Sequence, residues 1–181
     1  AALALGPAIA IRLDTRTQIT LADARHATLD EGAVYVDAGT AQDTATSQLE
    51  IETPVGIVRH LGTQYEARRT RGGLNLGVRE GRVSVDRRSG PVTAVAGERL
   101  AIADGRIVRE RLEPNAAAWN WVSSVTPPFS IEGRSVDTFL AWAGRETGRQ
   151  IVYASPEAEA RARSVTLRGT VEGLTPEEAV A

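Results

Sequence analysis

Leu74-Asn75-Leu76-Gly77-Val78-Arg79-Glu80-Gly81-Arg82-Val83-Ser84-Val85-Asp86 is the most informative stretch of this 181-residue chain. Leu74, Leu76 and Val78 alternate with Asn75, Gly77 and Arg79, and Val83 and Val85 alternate with Arg82, Ser84 and Asp86. A period of two places successive side chains on opposite sides of an extended backbone, so the stretch reads as strand with one face on a core and the other in water. The rhythm extends outward in both directions, from Thr15 to about Glu110. Ile57 and Leu61 flank Arg59, and Leu100 and Ile102 flank Ala101. Turn signals separate the runs at Gly72-Gly73, Glu80-Gly81, Ser89-Gly90, Ala96-Gly97 and Asp104-Gly105. Many short strands and no helical period predict an all-β domain.

An acidic-Gly-x-apolar pattern recurs at Glu31-Gly32, Glu80-Gly81 and Asp104-Gly105, where glycine supplies the positive φ of a tight turn. The intervals are irregular, so the expected architecture is a rolled or coiled β-sandwich, not a solenoid of fixed period. Residues 38–48, small and polar, read as a surface loop. Charge is uneven: residues 1–58 carry a net of −5 and residues 59–88 a net of +5. Paired across strands, the two would neutralise one another.

The chain opens with about eleven apolar residues before Arg12, and a membrane-spanning helix needs about 20. Residues 1–14 are expected to be the stub of a membrane or signal helix with a lead-in segment; a short first strand is the plainer reading. The predicted all-β domain covers residues 15–111, and residues 112–128, with Trp119 and Trp121, form a linker that Pro127-Pro128 ends.

After the linker the order predicted for residues 129–181 is strand, helix, strand, short helix, strand, helix. Phe129–Glu132 is extended. Ser135 caps a helix to about Thr147, with Val136, Phe139, Leu140 and Ala143 on one face and Gly148 as its left-handed stop. Gln150–Ala154 and Ser164–Glu172 read as strands, Ser155-Pro156 starts a short helical turn, and Thr175-Pro176-Glu177-Glu178 is a capping box. The fold class is thus mainly β with a small α/β module, C-terminally truncated.

Composition removes several functions. The 21 basic residues, all arginine, face 23 acids for a net of −2, which argues against nucleic-acid binding. Without cysteine there is no disulfide, zinc–thiolate site or thiol catalysis. His26 and His60 are isolated, and no nucleophile elbow, zinc-protease, phosphate-loop or dinucleotide motif is present. No catalytic residue, cofactor or metal ligand is therefore assigned. A glycosidase-type carboxylate pair is the one enzymatic reading that counting leaves open, against only 4% aromatic residues to hold a sugar.

The residues Glu52-Thr53-Pro54-Val55-Gly56-Ile57-Val58-Arg59-His60-Leu61-Gly62-Thr63-Gln64-Tyr65-Glu66, followed by Val78–Val85 and Ala96–Leu100, resemble the FecR-like family of regulators. Leu21–Leu29 and Gly32–Asp37 fit the same domain, with Ala24 where the family turn has glycine. Residues 129–181 are similar to the secretin/TonB short N-terminal (STN) module, through Pro128-Phe129, Phe139–Trp142, Glu146–Arg149 and Leu174–Ala179. The resemblance implies the periplasmic sensor region of a single-pass inner-membrane regulator of anti-sigma type. Its partners would be the N-terminal signalling domain of a TonB-dependent outer-membrane transporter and, through a cytoplasmic segment, an extracytoplasmic-function sigma factor. The membrane would be met only through a helix outside this sequence. A second reading is a periplasmic scaffold or polymer-binding β domain with no sigma factor. Since tryptophan and arginine dominate binding hot spots, the candidate partner-binding residues are Trp142, Arg134, Arg145, Arg149 and Tyr153.

Overall fold

The computed structural model describes residues 1–5, 9–39 and 48–181, which form two compact units, Ala1–Ala116 and Ala117–Ala181. The first unit is a curled sheet of β1 (Ala2–Leu5), β2 (Ile9–Leu13), β3 (Gln18–Leu21), β4 (His26–Glu31), β5 (Ala33–Asp37), β6 (Glu50–Thr53), β7 (Gly56–Thr70), β8 (Gly73–Asp86), β9 (Val92–Val95), β10 (Glu98–Ala103) and β11 (Arg106–Arg111). Seven strands run in the order β1-β2-β5-β7-β6-β4-β3, and β8 leads from β7 to β9, β10 and β11. Pairing is antiparallel except between β4 and β6.

The long β7–β8 hairpin is the spine, and the alternation that opened the sequence reading lies along β8 with Leu74, Leu76, Val78, Val83 and Val85 buried. Its ladder runs from Ile57↔Asp86 to Leu61↔Arg82, slips, and resumes from Gln64↔Glu80 to Thr70↔Gly73. Gly62 (φ 53°) and Gly81 (φ 77°) sit at the slip in the left-handed region, a β-bulge that bends both strands at one level. Before the bulge β7 takes β6 as its second neighbour; after it, β5. One bend therefore curls the sheet around a single core, to which Leu29, Ile51 and Val58 contribute from one arm and Ile11, Val34 and Val36 from the other.

The repeated acidic-Gly pattern has one conformation and three uses. Gly32, Gly81 and Gly105 all have φ between 76° and 83°. Gly81 belongs to the bulge, Gly32 turns β4 into β5, and Asp104-Gly105 closes the β10–β11 hairpin with both residues at positive φ, as a type I′ turn requires. The β3–β4 connection, where Ala24 stands, needs no left-handed residue. There the Asp23 carboxylate accepts the N–H groups of Arg25 (2.7 Å) and His26 (2.9 Å). Those bonds, with His26 beside them, hold the Asp23 carboxyl below its ordinary pKa.

Opposite charges meet across strands. Arg59 on β7 pairs with Glu50 on β6 (2.8 Å) and with Asp86 on β8, and Arg68 on β7 reaches Asp14 just past β2 (2.8 Å) as well as Glu66 on its own strand (2.6 Å). Partly exposed pairs of this kind contribute up to about 1 kcal/mol each and chiefly hold register. His60 points into the core instead. Its Nε2 accepts the N–H of Leu49 at 3.1 Å, its Nδ1 has no partner among the described residues, and its ring lies 5.9 Å from that of Tyr65. Burial lowers the His60 pKa and raises that of the Tyr65 phenol.

Two expectations are corrected. Residues 1–14, expected as the stub of a membrane or signal helix, contain β1 and β2, paired from Ala2↔Arg12 to Leu5↔Ile9. The Ile9-Ala10-Ile11 alternation buries both isoleucines in the core, so these apolar residues are spent on a sheet. The second correction concerns the α/β module. Helices α2 (Val136–Thr147), α3 (Pro156–Ser164) and α4 (Pro176–Ala179) form, as does a helical turn through Ala117–Trp119 into α1 (Asn120–Ser123). The caps are the expected ones: Ser135 accepts from Thr138, Gly148 is left-handed at φ 67°, and Thr175 and Glu178 complete a capping box. The strands expected at 129–132, 150–154 and 164–172 do not assemble into a sheet; among the described residues their only pairing is the bridge Ser135↔Thr166. Two hydrogen bonds between Gly133-Arg134 and Leu167, and one from Val136 to Val165, surround that bridge. It cannot lengthen because α2 begins at Val136 and α3 ends at Ser164. Of the loop expected at 38–48, residues 40–47 lie outside the described residues.

Candidate docking surface

The surface of the second unit is organised by α2. A glycine inside this helix, Gly144, leaves room for the chain to fold back. A Cβ there would stand 2.9 Å from the carbonyl oxygen of Arg149 and 3.0 Å from Cγ1 of Ile151. Interior glycine costs a helix roughly 0.5–1 kcal/mol relative to alanine, and the space it leaves brings Gln150–Ala154 against the helix flank. Farther along, the Tyr153 hydroxyl donates to Asp137 Oδ1 at 2.8 Å, on the first turn of α2. That hydrogen bond raises the Tyr153 pKa.

The segment has strand periodicity without a strand partner. Ile151 and Tyr153 turn toward α2, while Val152 between them is 78% exposed, the most exposed large apolar side chain of the protein among the described residues. No backbone hydrogen bond joins Ile151, Val152 or Tyr153 to another described residue. Unpaired N–H and C=O groups along an extended chain are what an incoming strand uses. Val165 (43% exposed) and Leu174 (50%) add apolar surface elsewhere on the same unit.

The candidate residues read from the sequence do not form one patch. Arg149 is exposed just before the segment and Tyr153 lies within it. Trp142 stacks on Phe129 (ring centroids 4.8 Å apart, planes 21° apart) and lies 5.7 Å from Phe139. It is half-buried in that aromatic trio. At about 100° per residue, Trp142 is turned about 140° from Asp137 and about 160° from Gly144, away from the segment. Arg145 is half-buried at an intermediate angle, and Arg134 is exposed beside the Ser135↔Thr166 bridge. Sequence reasoning passed over Asp137, Ile151 and Val152. The helix-interior glycine was the available signal.

A groove of about 720 Å3 in the first unit lies between the Thr53–Gly56 turn, Asp86–Ser89 and the Asp104-Gly105 turn, with the Asp86 carboxylate held by Arg59. Among the described residues no three histidine or carboxylate side chains are grouped to hold a metal ion, and no helix is long and apolar enough to cross a membrane.

Residues 1–84 match the family model described as FecR protein. The match starts at Ala1, ahead of the Thr15 boundary read from the sequence rhythm, and ends within β8. No curated protein matches the chain. A 2.50 Å crystal structure of a proposed anti-sigma factor from Parabacteroides distasonis is similar in fold, with TM-score 0.56 at 15% identity over 99% of this chain and 83% of that one. A 1.65 Å structure of a proposed anti-sigma factor from the same organism gives TM-score 0.56 at 14% identity over 90% and 84% of the two chains.

Proposed function

We propose that this chain is the periplasmic sensor region of an inner-membrane regulator of anti-sigma type. It docks the N-terminal signalling domain of a TonB-dependent outer-membrane transporter. The state of that contact then passes through a membrane helix and a cytoplasmic segment to an extracytoplasmic-function sigma factor. The match of residues 1–84 to the FecR family is the observation that carries this reading, and the fold shared with two proposed anti-sigma factors supports it. In this reading the chain acts by docking and makes or breaks no covalent bond.

The second unit, akin to the STN module, offers the docking edge. A strand from the signalling domain adds to Gln150–Ala154, where backbone groups are unpaired and Val152 faces outward. Arg149 and Tyr153 select the partner from beside that edge, and Trp142 with Arg145 and Arg134 extends the contact around α2. The test is calorimetric titration of the chain with signalling domains of transporters encoded beside it. Val152→Pro and Arg149→Glu are expected to weaken binding at least about tenfold, and Trp142→Ala with Arg145→Ala by about 2 kcal/mol. Because Trp142 packs on Phe129, the two exposed-site variants decide the matter if the tryptophan variant loses structure. Binding untouched by all of them, or absent with every such domain, refutes the proposal.

A further inference from the structure

Strand β11 is the longest free edge of the first unit's sheet, and it is built unlike the other strands. All six residues, Arg106–Arg111, are exposed, so neither face of the strand rests on the core. Among the described residues it pairs only with β10, whereas the other edge strands β1, β3 and β9 have four residues each. Val108, 53% exposed, is the most exposed large apolar side chain of the first unit among the described residues.

The hairpin register decides which backbone groups are free. Asp104-Gly105 is a two-residue turn that opposes Ala103 to Arg106, and Leu112 donates to the Gly97 carbonyl at 2.8 Å. In an antiparallel ladder hydrogen-bonded pairs alternate with non-hydrogen-bonded ones. Arg106, Val108 and Glu110 therefore turn their N–H and C=O groups toward β10, and Ile107, Arg109 and Arg111 turn theirs outward. The side chains of Arg106, Val108 and Glu110 share one face. That face reads basic, apolar, acidic, which is complementary to itself when reversed.

We infer that β11 is a self-association edge, at which two copies of this chain pair antiparallel about a two-fold axis through Val108 and join their sheets. In this register Ile107 of each copy exchanges backbone hydrogen bonds with Arg109 of the other. Val108 lies against Val108, and each Arg106 faces a Glu110. The Val108 and Arg106–Glu110 pairs occupy the non-hydrogen-bonded positions, where opposed residues come closest, about 4.5 Å between Cα atoms. Neither Arg106 nor Glu110 is in an ion pair with a described residue, so both are available. Charge selects this register over its neighbour. An axis through Arg109 would oppose Arg109 to itself and Val108 to Glu110, whereas Arg109 already reaches Glu98 at 2.9 Å and the Thr93 carbonyl at 2.8 Å. The contact is isologous, so it closes at two copies and leaves no edge for further growth. A single strand edge is smaller than a standard interface, which makes the dimer weak and reversible.

Sedimentation velocity of the chain from about 10 μM to about 1 mM tests this. The wild type is expected to pass reversibly from monomer to dimer in that range. Ile107→Pro deletes an outward N–H without touching the β10 ladder, a placement edge strands tolerate, and should leave a folded monomer. Arg106→Glu sets like charges opposite one another at two places and should weaken the dimer about tenfold, while Arg106→Glu with Glu110→Arg restores both pairs and the association. Circular dichroism checks that each variant is folded. A wild type monomeric throughout, a dimer that survives Ile107→Pro, or a double reversal no better than the single one overturns the inference. These outcomes are independent of whether a transporter domain binds the second unit.

Discussion

Replacing His60 with glutamine should remove a specific part of the acid sensitivity of the first unit. The imidazole is 1% exposed, its Nε2 is an acceptor for Leu49 N–H, and burial lowers its pKa from 6.5. A protonated ring would bring a donor to face that N–H and place a charge among Val58, Val83 and Tyr65. The folded state therefore resists protonation of His60 at pH values where the unfolded chain, below pH 6.5, takes up a proton. A depressed histidine pKa makes stability fall as pH drops through the unfolded value, and the loss continues down to the folded one. The loss is bounded by the limit of a folded ring that never protonates, RT ln(1 + 10^(6.5 − pH)): below about 0.1 kcal/mol at pH 7.5, at most about 0.8 at pH 6.0 and at most about 1.4 at pH 5.5. Glutamine retains an acceptor for Leu49 and does not titrate. The assay is urea unfolding at these three pH values, followed by the far-ultraviolet β signal. All three tryptophans, Trp119, Trp121 and Trp142, lie in the second unit, so their fluorescence reports on it separately. The wild type should lose more than His60→Gln between pH 7.5 and 5.5 in the β signal, by up to about 1.4 kcal/mol, with no difference in fluorescence. Equal losses in the two proteins would refute the assignment of a buried neutral imidazole.

Two further substitutions probe close approaches of the backbone. Gly73→Ala would place a Cβ 1.8 Å from the carbonyl oxygen of Ile102, so β8 and β10 must separate locally; a loss of about 2–3 kcal/mol in the same urea assay is expected, and a neutral result would contradict the packing. Gly144→Ala should favour the isolated α2 helix by up to about 1 kcal/mol, yet lift Gln150–Ala154 from its flank, seen as a Tyr153 pKa returning toward 10 in an absorbance titration. An unchanged titration would show that the segment does not rest on Gly144.

Much of the first unit was legible because its signals are local. The alternation along Leu74–Asp86 follows from the geometry of an extended chain beside a core, and the acidic-Gly pairs mark left-handed backbone wherever they occur. The caps at Ser135, Ser155 and Thr175 were equally readable, since each satisfies N–H groups within its own first turn. The apolar opening of the chain was misjudged for a related reason. Ile9-Ala10-Ile11 suits a strand and a membrane helix alike, and the partner strands β1 and β5 distinguish them.

The candidate site was legible in types of residue and not in arrangement. Arg149 and Tyr153 stand at the extended segment, but Trp142 has its own neighbours in Phe129 and Phe139, which come from different parts of the second unit. Period-two patterning matches the alternation of Ile151 and Tyr153 toward α2 with Val152 outward, and says nothing about whether another strand pairs with the segment.

By itself, the sequence determined backbone conformation and the apolar face of most segments, because both depend on contacts within a few residues. Only the tertiary structure decided which strands lie side by side, that β4 and β6 run parallel, that His60 is enclosed, and that β11 and Gln150–Ala154 keep an open edge. Pairing requires distant backbone groups to meet, and the closure of the intervening chain and the competition among possible partners are properties of the whole fold.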